Sequence, residues 1–186
     1  MEEIQRQENR ALDRYEISPA RLWGQLNPKN LEDIIISKRK GISGIVKDLG
    51  RDRGELYVKA LLTEAIIDLS EFFNVQNNFS ERQVVSTVNI IREKYYYFKP
   101  DDFKLCFKEA MKGTYGKVYN RLDGSLIMEW LESYETERVS FFEGKSDHQA
   151  YRDKEVRDLT VSSKDNEFHS IKVAHFKKQV NDSKGY

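Results

Sequence analysis

The chain has 186 residues, with 31 basic and 31 acidic side chains and a formal net charge of zero. It is sized for one domain with extensions, and the balance excludes a protein drawn to nucleic acid or membrane by its overall field. Its one cysteine rules out an internal disulfide.

The opening MEEIQRQENR is charged and lacks the apolar core of a secretory leader. No later run approaches the roughly 18 apolar residues of a membrane span. The expected location is the cytoplasm. Residues 1–17 have too few apolar positions (Ile4, Ala11, Leu12, Tyr15) for a core face and read as a loosely attached arm. Ser18-Pro19 opens a short helix, with serine as cap and proline at the first position. Leu22, Trp23 and Leu26 are its candidate anchors, and Asn27-Pro28 stops it. From Lys29 to Gly54 the pattern is undecided. Ile34-Ile35-Ile36 fits a helix or a short strand, and Gly41, Gly44, Gly50 and Gly54 interrupt it. This section holds the densest basic run, including Lys38, Arg39, Lys40, Arg51 and Arg53, a candidate phosphate-contacting surface if DNA is bound. The alternative is a solvated connector.

Glu55 to Phe73 shows the strongest helical period. Val58, Leu61, Leu62, Ala65, Ile66, Leu69, Phe72 and Phe73 form a face broad enough to touch several neighbours. Ser80 and Gln83 have capping-box spacing, and Phe79 is placed to staple against Val84. That helix continues through Val88 and Ile91 to Tyr95. Tyr95-Tyr96-Tyr97-Phe98 places four aromatics in a row, which cannot all face one core, so at least one tyrosine should be exposed. Pro100, with Asp101 and Asp102 in the first turn, opens another helix. Its stripe is Phe103, Cys106, Phe107, Ala110 and Met111. Gly113 and Gly116 suit a turn with positive φ. Between them and Asp123, an N-cap candidate, Tyr115, Lys117, Tyr119 and Arg121 alternate aromatic and basic side chains. The final helix should bury Ile127, Trp130, Leu131 and Tyr134. Beyond Tyr134 the chain turns acidic, Val139, Phe141 and Phe142 either continue the helix or fold back, and residues 158–186 read as disordered in isolation.

Chemistry finds little support. His148, His169 and His175 all lie in the tail, away from any cysteine, so no metal-ligand spacing appears. Cys106 sits on an apolar stripe and reads as a packed thiol. Asp101 and Asp102 diverge around a helix, and capping accounts for them. Gly144-Lys145-Ser146 lacks the preceding glycine and strand of a phosphate loop. No catalytic residue, metal or cofactor is expected.

Two blocks, the helix end Leu69–Asn74 (LSEFFN) and Tyr96–Arg138 with its DFKLCF, GTYGK, RLDG and WLESYETER strings, resemble a family of small helical proteins encoded by phages and mobile elements of gut bacteria. The layout is also similar to that of phage replicative-helicase loaders. The resemblance implies a helical protein without catalytic residues that binds a replicative helicase or another replisome protein. Tyr96, Tyr97, Tyr115, Lys117, Tyr119 and Arg121 are the candidate contacts. The alternatives are a direct DNA-binding protein and a virion structural or packaged protein.

These readings predict an all-α fold, a small orthogonal helical bundle. A basic segment with short helices (1–54) precedes a core domain (55–142), and a polar, partly disordered tail (143–186) follows.

Overall fold

The computed structural model describes residues 17–74, 79–119 and 121–146. Seven helices and no strand occur among them, so the chain is all-α as its periodicity predicts. They are α1 (Pro19–Gln25), α2 (Leu31–Ile36), α3 (Ile42–Leu49), α4 (Arg51–Phe73), α5 (Glu81–Lys94), α6 (Pro100–Met111) and α7 (124–146). The chain divides into two compact units at 138/139. In the second, Phe141 and Phe142 meet edge-on and Lys145 Nζ lies 5.0 Å from the Phe141 ring centroid. The expected N-terminal arm and most of the tail lie outside the described residues.

Local signals set most boundaries. Ser18 Oγ accepts from Arg21 N–H at the start of α1. Ser80 and Gln83 complete the expected capping box on α5, and Asp123 Oδ1 accepts from Leu126 N–H to open α7. Gly113 and Gly116 both adopt positive φ.

Helix α4 is the centre of the first unit, with α1, α3, α5 and α6 packed around it. Val58, Leu61, Leu62, Ala65, Ile66 and Leu69 are buried as expected. Phe72, assigned to the same face, is instead exposed; it lies in the last turn before the left-handed cap Asn74, where Phe73 is the ring that meets Trp130. Cys106 is buried among Phe103, Phe107 and Ala110, and burial pushes its thiol well above the ordinary cysteine range.

The predicted division at 54/55 falls inside α4, which begins at Arg51. Residues 17–54 contribute Leu22, Trp23, Leu26, Ile34, Ile42 and Ile45 to the buried set. Each short helix buries only one or two of its apolar residues, too few for a period to show in sequence. The Ile34-Ile35-Ile36 ambiguity resolves as helix, with Ile34 inside and the other two exposed. Trp23 shows how tightly α1 is held. Its Nε1–H donates to Asp68 Oδ2 at 2.9 Å, and Lys104 Nζ lies 4.3 Å from its ring centroid.

Candidate functional site

The turn between α5 and α6 is braced from every side by polar contacts that single-helix reasoning does not anticipate. Gly41 stands at the N-cap of α3, and its missing side chain leaves no cap for the first turn. The orphan N–H groups of Ile42 and Ser43 donate instead to the carbonyls of Phe98 and Tyr96, at 2.8 and 2.9 Å. Glycine is required because a Cβ at residue 41 would stand 2.6 Å from the Tyr97 carbonyl oxygen. The far end of α2 is closed from the same turn. Lys99 Nζ donates to the carbonyls of Ile34 and Ser37 at 2.7 and 2.8 Å.

Asp101 and Asp102 do more than open α6. Asp102 is fully buried and accepts from Lys99 N–H (2.7 Å), Tyr134 Oη–H (2.9 Å) and Arg138 Nε–H (2.8 Å). Burial, then the neighbouring Asp102 charge, raises the Tyr134 phenol far above the ordinary tyrosine range. Asp101, 6% exposed, takes Ser37 Oγ and Arg39 Nη1 at 3.2 and 2.8 Å. The two carboxylates diverge as expected, but each ties α6 to a different neighbour.

On this base the candidate contact residues fall into distinct environments. Tyr95 is buried and Tyr96 is 57% exposed. Tyr97 is partly exposed; its hydroxyl donates to Glu135, and the Arg138 guanidinium lies 5.8 Å from its ring centroid. Tyr96 and Tyr97 meet edge to face at 5.3 Å. Tyr119 is 77% exposed, and Lys117 and Arg121 are exposed too, although Arg121 Nε pairs with Asp123 at 2.9 Å. Tyr115 departs from the set. Its hydroxyl is buried without a hydrogen-bond partner among the described residues, and burial raises its pKa above the tyrosine range. Tyr115 as a whole is half-buried, with its hydroxyl end inside.

The basic run is partly neutralised by the fold. Arg39 pairs with Asp101 (2.8 Å) and Lys40 with Asp48 (2.6 Å). Lys38, Arg51 and Arg53 are exposed.

Beside Tyr96 lies a cleft of about 360 Å³. Ile42, Ser43 and Val46 of α3, Glu55 of α4, Arg92 and Glu93 of α5, and Tyr96 line it. Arg92 Nη1 is bonded to Glu55 inside the cleft. Sequence reasoning missed this feature, since its lining comes from three helices and a turn. A wider groove of about 670 Å³ runs between α5 and the first turns of α7, from Arg82 to Glu132. Thr87 and Gly124 meet on its lining, where a Cβ on Gly124 would stand 2.5 Å from Thr87 Oγ1.

Among the described residues no group of three or more histidine, cysteine, aspartate or glutamate side chains is placed to hold a metal ion, and no helix is long and apolar enough to cross a membrane. No family model matches the chain, and neither the curated proteins nor the solved structures contain one similar to it.

Proposed function

We propose that this is a non-enzymatic protein-binding module, an accessory protein of phage or mobile-element DNA replication whose partner is a replicative helicase or another replisome protein. The observation that carries the binding part is the braced pair Tyr96–Tyr97. Large amphipathic rings held outward on a backbone that is already ordered have the character of interface hot spots, because little conformational entropy is lost on contact. The replication part rests on the sequence resemblance of Leu69–Asn74 and Tyr96–Arg138. Tyr119, Lys117 and Arg121 extend the candidate surface; Tyr115 supports it from beneath.

The Arg39–Asp101 and Lys40–Asp48 pairs make the DNA reading the weaker one. Phosphate neutralisation needs uncommitted cations, and two of the five candidates are spoken for by the fold.

The test is capture with the full chain as bait from cells carrying the phage or element. The expected result is recovery of a replicative helicase, lost when Tyr96 and Tyr119 are both changed to alanine. Recovery of capsid or portal protein would overturn the reading in favour of a virion role. Retention of DNA that weakens steeply with salt would favour direct DNA binding.

A further inference from the structure

We infer that the cleft beside Tyr96 is an anchor site for one arginine side chain of the protein partner. This rests on the protein-binding reading above and names the chemistry that the site selects.

The cleft offers three surfaces that match the parts of arginine. Val46, half-buried beside the fully buried Ile42, gives an apolar wall along which a three-carbon stem can lie. Tyr96, 57% exposed and touching Tyr97 edge to face, presents aromatic surface against which a guanidinium can stack. Glu93, 73% exposed, supplies the carboxylate; among the described residues its ion-pair contact is with Arg92 Nη2 at 3.8 Å, long for a hydrogen bond. A planar guanidinium engages a carboxylate through two parallel N–H bonds where an ammonium makes a point contact, which favours arginine over lysine.

The charges lining the cleft agree. Glu55, Arg92 and Glu93 are its ionisable groups other than the Tyr96 phenol. Arg92 is held by Glu55 through Nη1; its Nε is buried without a hydrogen-bond partner among the described residues, and the formal charges of the three groups leave one carboxylate in excess. The walls are also fixed in advance. Ser43 N–H donates to the Tyr96 carbonyl at 2.9 Å, tying α3 to the tyrosine turn across the cleft, so an incoming side chain meets an ordered site.

The experiment uses the full chain labelled with ¹⁵N and titrated with N-acetyl-arginine N-methylamide, with the norleucine analogue as the apolar control. Saturable shifts are expected at the amides of Ser43, Val46, Glu93 and Tyr96, about tenfold stronger in affinity than for norleucine. Tyr96→Leu, which keeps an apolar side chain, should weaken binding about fivefold, and Glu93→Gln about threefold. The rest of each spectrum reports that the variant is folded. Equal binding of norleucine, shifts scattered over the surface, or unchanged affinity in both variants would overturn the inference. If arginine binds but no protein is captured from cells, the replication reading fails and the cleft assignment stands. Capture without arginine binding gives the reverse.

Discussion

Two aromatic segments flank α6, and they are used in opposite ways. Before the helix, residues 95–98 are locked to α3 through the Ile42 and Ser43 amides, while the next residues, Lys99, Asp101 and Asp102, engage α2, the α2–α3 link and α7. After it, residues 112–119 close mainly on the last turn of α6 just before them. Gly113 N–H donates to Ala110, Thr114 N–H to Glu109 and Gly116 N–H to Gly113, and Thr114 Oγ1 to Glu109. The first segment turns its middle tyrosines outward on a fixed frame. The second tucks Tyr115 in and leaves Tyr119 and Lys117 outside. An aromatic run in sequence therefore does not say which rings are presented; the hydrogen bonds of the backbone beneath them do.

The largest expected effect tests the frame. Asp102→Ala leaves Arg138 and Tyr134 without their buried acceptor and should cost about 3–5 kcal/mol in chemical denaturation. The midpoint should shift without change of slope if the fold is kept. A cost below about 1 kcal/mol would mean that the carboxylate is a first-turn charge and nothing more.

Glycine substitutions then separate the two segments by reach. Gly41→Ala pushes a methyl into the Tyr97 carbonyl and should cost about 1–3 kcal/mol. It should also speed hydrogen exchange at Ile42 and Ser43. Gly116→Ala strains a residue at φ 105° and should cost about 1–2 kcal/mol, while leaving exchange at Ile42 and Ser43 unchanged. Equal loss of protection in both variants would erase the distinction.

The smallest effect concerns the buried phenols. Tyr95 and Tyr115, one in each segment, have hydroxyls with no hydrogen-bond partner among the described residues, and burial raises the pKa of both. A group whose folded pKa is raised contributes fully below its unfolded value. Stability should therefore hold up to about pH 10, the ordinary tyrosine value, and fall as pH rises further, since the unfolded chain releases these protons first. Tyr95→Phe removes an unpaired polar atom and should change stability by no more than about 1 kcal/mol, in the favourable direction. It should also make the alkaline fall shallower. Loss of stability in this variant would reveal an acceptor for the hydroxyl.

Much of the fold was legible because it follows from neighbours in sequence. Stripes on α4 and α6, caps at Ser18, Ser80 and Asp123, and positive φ at Gly113 and Gly116 each depend on residues within two turns of one another. Residues 29–54 resisted because their helices are six and eight residues long, too short for periodicity. The candidate site was legible only in part: exposure of at least one tyrosine was expected, but nothing local separates Tyr115, inside, from Tyr119, outside.

The amino-acid sequence by itself determined that this protein is helical and that its lone thiol is packed away, since amphipathic period and capping are local physics. Tertiary structure alone decided that Gly41 must lack a side chain, that Asp102 joins the start of α6 to α7, and that Tyr96 stands over a cleft. Each of these depends on contacts between residues tens of positions apart. Their partners are chosen by how helices pack, and no spacing along the chain encodes that choice.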